Sequence, residues 1–301
     1  TVACAVVFLG TLAPLFRERI DGSKISVGAP FFDLSFTPFM ILLAIALPFG
    51  AVMPWKRGHL GKAWRKIMIA AAIAFLIGAL LWGLAEDRSP FAPIGIALAA
   101  WVVFGALADL AERSKLGRAS AGETLRRLIN LPRADWGRGV AHAGLGVCMF
   151  GIAGLMAWQT EDIRVVNPGE AFDVAGYTVR LNEVKQVEGP NYISTMADMD
   201  VTRGGRHIAT MFPEKRIYPV AQMPTTEAAI DSNLFRDIYL VIGEQQADGS
   251  WAVRSYVKPL AMWIWGGAIL MALGGFLSLS DRRYRVAAGA RRKAARAVPA
   301  E

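Results

Sequence analysis

Cysteine and histidine, which most often bind metal ions or carry redox chemistry, are scarce in this sequence. It has two cysteines, Cys4 and Cys148, and three histidines in 301 residues. The cysteines form no C-x-x-C pair, which excludes a thioredoxin-like motif and a covalent c-type haem attachment motif within these residues. Because free cysteine usually behaves as a small apolar side chain, we expect both to be buried.

The motifs of common hydrolases and nucleotide-binding enzymes are missing as well. There is no G-x-S-x-G elbow, no Walker loop and no H-E-x-x-H zinc motif. The net charge of +8 comes without a zinc-finger, helix-turn-helix or RNA-stacking pattern. We therefore predict no nucleic-acid binding. We interpret the basic residues instead as determinants of membrane topology.

Long hydrophobic runs dominate what is present. Hydrophobic residues make up 54% of the chain and nine residues are tryptophan, a composition more apolar than that of soluble domains. A run of about 18 apolar residues can cross the hydrocarbon core of a bilayer as a helix. The sequence thus predicts a polytopic α-helical membrane protein with about six transmembrane helices. The predicted spans are 1–16, 36–55, 67–85, 94–112, 139–158 and 259–280.

The basic residues predict the orientation of these spans. Lys and Arg number five in 56–66, seven in 113–138 and seven after residue 281. The positive-inside rule places these three segments in the cytoplasm, including a basic tail at 281–301 beside anionic lipid. Residues 159–258 then lie outside. The sequence starts inside an apolar run with no cleavage signal before it, so we expect a truncated first helix of a longer protein.

Charged residues and tryptophans near the ends of the predicted spans are expected to lie at the membrane–water boundary. Asp109 and Glu112, beside Arg113, are expected to form a charge cluster rather than a proton relay. Tryptophan favours the membrane–water boundary because its ring is apolar and its N–H is polar. The tryptophans placed there are Trp55, Trp82, Trp136, Trp158 and Trp263.

Residues 159–258 change from helical to alternating hydrophobicity. Turn signals at Gly204-Gly205 and at 247–250 separate alternating segments, which predicts a small antiparallel barrel or sandwich. A short helix is predicted at 226–231, capped by Thr225 or Thr226. Since His207 has no partner at metal-ligand spacing, we expect a docking module. The predicted strands are 177–186, 193–202, 207–212, 235–243 and 250–256.

His142 is the residue most suggestive of function. It lies in the otherwise uncharged run GVAHAGLGVCMFGIAGLMAW, residues 139–158. A titratable ring at membrane depth is costly, so it must face protein, water or a ligand. One interpretation is a ligand site, and the other is a hydrogen bond to a neighbouring helix, with Gly139 and Gly146 serving helix packing.

Several stretches in order resemble a known family. They are GSKISVGAPFFD (22–33), WGRGVAHAGLGV (136–147) and FPEKRIYPVAQMPTTEAAIDSNLFRDIYLVIGE (212–244), followed by WAVRSYVKPLAMWIWGGAILMALGGFLSLSDRRYR (251–285). These stretches are similar to the C-terminal portion of the CcmF cytochrome c-type biogenesis proteins, of the haem lyase family. The similarity runs through almost the whole chain.

The resemblance implies a function in haem handling. Such proteins lie in the bacterial inner membrane, receive haem from the haem chaperone CcmE and, with CcmH, help attach it to apocytochrome c on the periplasmic side. Residues 159–258 would then be periplasmic. The family carries a membrane haem b held by two histidines, one of which matches His142, and the second ligand is expected outside this chain. Neither His59 nor His207 matches a family histidine.

The chemistry of His142 suits this role, because neutral imidazole is a good axial ligand for haem iron. Gly139 and Gly146 lie on the same helical face, where small residues would let a macrocycle approach. Arg138 could pair with a haem propionate or be an ordinary positive-inside anchor. The alternative function is a transporter or membrane scaffold with a partner-binding outer domain and a structural His142.

Overall fold

The computed structural model describes residues 2–52, 60–84, 91–220 and 222–281. The predictions for Trp55, His59 and the basic tail after residue 281 fall outside the described residues. Seven helices and ten strands lie within them. The helices are α1 (Val2–Asp21), α2 (Ala29–Val52), α3 (Leu60–Leu84), α4 (Phe91–Arg113), α5 (Ala121–Ile129), α6 (Arg133–Trp158) and α7 (Ala261–Leu279).

The chain divides into two compact units. Among the described residues, the helical unit comprises 2–52, 60–84, 93–146 and 267–281, and the sandwich unit comprises 91–92, 147–220 and 222–266. The C-terminal half of α6 and the first turns of α7 therefore belong to the sandwich unit.

Four of the described helices are long and apolar enough to cross a membrane. These segments are Pro30–Ala51, Ala92–Arg113, Arg133–Trp158 and Ala261–Leu279. α3 contains a shorter apolar segment, Ile67–Gly83. The structure thus agrees with a helical membrane protein that carries an inserted β domain, and the count of six spans stays a prediction.

Two features near α5 and α6 depart from the predicted boundaries. α5 lies in the segment predicted only as a cytoplasmic connection. Its start is capped because the side chain of Ser120 accepts a hydrogen bond from the amide of Glu123, the two end residues of a capping-box sequence. α6 begins at Arg133, six residues before the predicted span, with Asp135 in its first turn. An acidic residue there is favoured by the positive end of the helix dipole.

Glycine sets the distance between α6 and α7. A Cβ added to Gly144 would lie 2.7 Å from the amide nitrogen of Met271, and one added to Gly274 would lie 2.5 Å from the amide nitrogen of Ala141. In the sandwich unit, a Cβ on Gly151 would lie 2.7 Å from the amide nitrogen of Ile264. The two backbones thus touch where side chains are missing, which is how transmembrane helices associate without a hydrophobic driving force.

Elsewhere in the helical unit, α2, α3 and α6 pack against α4. The indole of Trp101 donates a hydrogen bond of 3.2 Å to the carbonyl of Ile45 on α2, and its ring lies 5.5 Å from the ring of Phe49. On α3, a Cβ added to Gly78 would lie 2.9 Å from the Cβ of Ala97. α4 is accordingly the most buried of the four candidate spans.

The sandwich unit contains two antiparallel sheets. Their strands are β1 (Thr160–Val166), β2 (Ala171–Val174), β3 (Tyr177–Glu188), β4 (Ile193–Arg203), β5 (Arg206–Met211), β6 (Glu214–Tyr218), β7 (Met223–Glu227), β8 (Ala229–Ser232), β9 (Arg236–Gln245) and β10 (Trp251–Pro259). The first sheet has the order β1-β10-β9-β8, and the second has the order β2-β3-β4-β6-β7 with β5 also paired to β4.

Alternation of buried and exposed residues builds the core between these sheets. In β3, for example, Tyr177, Val179 and Leu181 are buried while the residues between them are exposed, as the two-residue period of a strand requires. The alternating segments predicted from the sequence are confirmed as β3, β4, β5, β9 and β10. Gly204 and Gly205 adopt positive φ between β4 and β5, which confirms the predicted hairpin turn.

The predicted helix at 226–231 is wrong. Met223–Glu227 forms β7 and pairs with β6, while Ala229–Ser232 forms β8 and pairs with β9. A six-residue helix would add few internal hydrogen bonds after a costly nucleation. The strands instead satisfy their backbone groups against neighbours already in place.

Charged side chains on the second sheet form a small network. Glu214 accepts hydrogen bonds of 2.8 Å from Arg216 and of 2.8 Å from the hydroxyl of Ser194. The guanidinium of Arg216 also lies 4.4 Å above the ring of Tyr192. The hydrogen bond from Arg216, helped by the one from Ser194, holds the pKa of Glu214 below its ordinary value against the opposing effect of burial.

We expect the Gly274→Ala variant to be less stable, because its methyl group would meet backbone atoms of α6 that cannot rotate away. Overpacking of this kind costs about 1–3 kcal/mol. Gly275→Ala is the matched control, since nothing lies within 4 Å of a Cβ at Gly275. Thermal unfolding in detergent would measure both, and equal melting temperatures would contradict the close contact.

Acidification should weaken the sandwich unit partly through Glu214. Its folded-state pKa is lowered, so its stabilising contribution is present above the unfolded-state pKa, about 4.3 for Glu, and is lost as the pH falls through the folded-state value. The Glu214→Gln variant should therefore lose less stability than the parent between pH 7 and pH 3. The control is Glu183→Gln, whose carboxylate is mostly exposed beside Lys185. Thermal melts across this range would test the difference.

Candidate functional site

His142 lies in the third turn of α6, within the helical unit, and is half-buried. No hydrogen bond from any described residue reaches its ring nitrogens. The interpretation of His142 as a helix-to-helix hydrogen bond thus finds no support among the residues that the structure describes. Both nitrogens remain able to bind a ligand.

The two glycines on this face are used for helix packing. A Cβ on Gly139 would lie 3.0 Å from the side chain of Leu110, and one on Gly146 would lie 2.9 Å from the carbonyl oxygen of Ala99. In this structure α4 therefore packs against both glycines. That Gly139 and Gly146 let a macrocycle approach His142 stays a prediction.

Four charged residues join α4 to α6 one turn from His142. Asp109, only 4% exposed, accepts hydrogen bonds of 3.0 Å from Arg113 and of 2.8 Å from Arg138. Asp135 lies 2.9 Å from Arg113 and 3.6 Å from Arg138. Two carboxylates and two guanidinium groups alternate, so the cluster is balanced in charge. The predicted pairing of Asp109 with Arg113 is confirmed, and Glu112 forms an ion pair of 3.2 Å with Arg118. Arg138 and Asp135 are members of the cluster that the prediction left out.

Arg138 forms an ion pair, but one of its hydrogen-bond donors has no partner among the described residues. Its terminal nitrogen binds Asp109, but its Nε is buried and has no hydrogen-bond partner among the described residues. A buried donor without an acceptor costs about 1–3 kcal/mol. Since Arg138 precedes His142 by one helical turn, an anionic group held near the imidazole would satisfy this nitrogen.

The other described histidine and the two cysteines lie elsewhere. His207 is on β5, where its Nε2 lies 3.1 Å from the hydroxyl of Thr210 and 3.6 Å from a carboxylate oxygen of Asp200. Within the described ranges no three His, Cys, Asp or Glu side chains come together as metal ligands would. Cys148 is half-buried and Cys4 is exposed, so the predicted burial is wrong for Cys4.

Comparison with known proteins connects this arrangement to a family. Residues 157–259 match the family described as CcmF C-terminal beta-sandwich. The chain is 54% identical to the cytochrome c-type biogenesis protein ccl1 of Rhodobacter capsulatus, over 100% of this chain and 45% of that protein. The chain belongs to the CcmF family. It corresponds to the C-terminal portion of such a protein.

More distant relatives extend the similarity. CycK of Rhizobium meliloti is 42% identical over 99% of the chain, and CcmF of Escherichia coli is 37% identical over 98%; both are called cytochrome c-type biogenesis proteins. The chain spans 44% of the length of each of these two proteins. A solved structure called "Cytochrome c Heme Lyase CcmF" shares the fold, with a TM-score of 0.68 and 21% identity over 93% of this chain and 44% of that one.

We expect the Asp109→Asn variant to lose about 1–3 kcal/mol of stability, because hydrogen bonds to charged partners are worth roughly this much and two arginines lose their shared carboxylate. The control is Glu123→Gln, whose pairs with Arg126 and Arg127 are surface pairs of the kind that contributes little. Thermal unfolding in detergent would compare them. A control as unstable as the Asp109 variant would contradict a special role for the cluster.

Proposed function

We propose that this chain forms part of a haem-handling subunit of the cytochrome c maturation system, in which His142 is one axial ligand of a membrane haem b. The observation that supports this most directly is the imidazole in an otherwise uncharged apolar run, with no hydrogen bond from any described residue. The relatives named for cytochrome c biogenesis supply the reaction context.

The residues around His142 fit a haem in two respects. A neutral imidazole presents a nitrogen lone pair to iron, and the buried Nε of Arg138 lacks an acceptor that a propionate would provide. Bound haem would supply a one-electron centre whose potential depends on its surroundings. The protein's own part is to hold the ring on α6 and to keep Arg138 in place through Asp109.

One axial ligand is not sufficient for a low-spin haem. Within the described residues of this chain no second histidine lies in the helical unit. We therefore propose that the second ligand comes from outside this chain. In this proposal Gly139 and Gly146 act indirectly. They let α6 pack closely against α4, and this packing fixes the side of α6 from which His142 projects.

The same proposal covers location and partners. The chain would cross the bacterial inner membrane six times, with residues 159–258 in the periplasm and the C-terminus in the cytoplasm. The sandwich unit would dock the haem chaperone CcmE, CcmH or apocytochrome c during covalent haem attachment. A transporter or scaffold is the less favoured function, because the named relatives are cytochrome c biogenesis proteins.

Spectroscopy of His142 variants tests the ligand assignment. The full-length protein in detergent should show the Soret and reduced α bands of a b-type haem, and His142→Gly should lose them. Free imidazole should restore the bands in His142→Gly, because it can occupy the position of the missing ring. His207→Ala is the matched control and should keep the parent spectrum. An unchanged spectrum in His142→Gly, or a loss that imidazole does not reverse, would refute the ligand role.

A further inference from the structure

A three-residue turn, Asn233 to Phe235, joins β8 to β9 in the sandwich unit. Its two apolar side chains point away from the protein: Leu234 is 63% exposed and Phe235 is 74% exposed. Large apolar side chains exposed side by side usually mark a contact with another molecule or with lipid.

Hydrogen bonds make this turn rigid. The side-chain oxygen of Asn233 accepts from the amides of Phe235 at 2.8 Å and of Arg236 at 2.9 Å. The amide of Asn233 in turn donates 2.9 Å to the carbonyl of Arg236. Arg236, 8% exposed, donates to the carbonyl of Asp231 at 2.8 Å. Leu234 and Phe235 are therefore held outward by a fixed backbone.

The turn is also attached to the start of α7. The indole of Trp263 donates a hydrogen bond of 2.8 Å to the carbonyl of Leu234, and the amide of Leu260 donates one of 2.9 Å to the carbonyl of Phe235. These bonds tie the turn to the residues where α7 begins. In the same unit the ring of Trp263 lies 5.7 Å from the ring of Phe150 on α6.

The depth of the turn in a membrane follows from the length of α7. The helix has 19 residues, which span about 28 Å at the rise of an α-helix. Because this nearly equals the hydrocarbon core of a bilayer, the first turn of α7 lies at the membrane–water boundary. Trp263 has the side chain that this boundary favours, and exposed Met262 and Trp265 lie beside it.

We propose that Leu234 and Phe235 insert into the interfacial region of the lipid bilayer at the end of the membrane where α7 begins. The turn would then be a lipid anchor for the sandwich unit, and the partner is phospholipid. Two large apolar side chains would leave water without any rearrangement of the backbone that carries them. This inference does not depend on haem or on His142.

Site-specific labelling tests the anchor in the full-length protein. Cys4 and Cys148 are replaced by alanine, and Phe235→Cys carries an environment-sensitive fluorophore. The protein is reconstituted into vesicles of phosphatidylcholine and phosphatidylglycerol, with or without brominated acyl chains. Val220→Cys is the control, because Val220 is fully exposed between β6 and β7, away from the turn at Asn233 to Phe235 in sequence.

The proposal predicts blue-shifted emission at Phe235→Cys, loss of fluorescence with brominated lipid and protection from aqueous iodide. The Val220→Cys label should respond only to iodide. Equal iodide quenching at both positions would place the turn in water and overturn the proposal. Protection from iodide without quenching by brominated lipid would mean that protein covers the turn, which overturns it equally. Leu234→Cys repeats the test should the Phe235 variant fold poorly.

Discussion

The close approach of α6 and α7 is the contact on which much of the structure depends. Where Gly144 and Gly274 meet backbone atoms of the opposite helix, no other residue fits without moving a helix. The same pair of helices enters the sandwich unit, where Gly151 faces Ile264 in the same manner. The chain leaves α6 into β1 and returns from β10 into α7, and β1 pairs with β10 from Thr160 to Val166. An inserted domain whose first and last strands are partners needs its two connecting helices side by side.

His142 belongs to this arrangement through its neighbours rather than through direct bonds. Asp109 and Asp135 hold Arg113 and Arg138 between α4 and α6, while the imidazole one turn further along stays without a bond from any described residue. Because the cluster is neutral overall, burying it at the end of a span costs less free energy than burying an isolated charge would. A fixed helix with an unbonded ring is what a ligand position requires.

The sequence predicted those parts of the fold whose pattern repeats along the chain. The alternation in Tyr177–Glu188 and Ile193–Arg203 identified strands because every second side chain enters the core. The segment around Thr226 was misassigned because its local pattern is short and tertiary pairing decides its structure. The sequence could place Gly139 and Gly146 on one side of a helix, but it could not show that α4 packs against both of them. Ser120 and Glu123 form a capping-box sequence from which the start of α5 could have been predicted.

The pairing of β1 with β10 also constrains how the sandwich unit can be made. Synthesis delivers β1 first and β10 last, and β10 lies inside its sheet between β1 and β9. The ladder from Thr160 to Val166 therefore cannot form until the ribosome has completed nearly the whole domain. Contacts between residues so distant in the chain form slowly, so β1 stays an unpaired strand while the rest of the domain is made, which is the state that other chains can pair with. Keeping β1 covered until Trp251–Pro259 has been made would therefore protect this domain from wrong pairing.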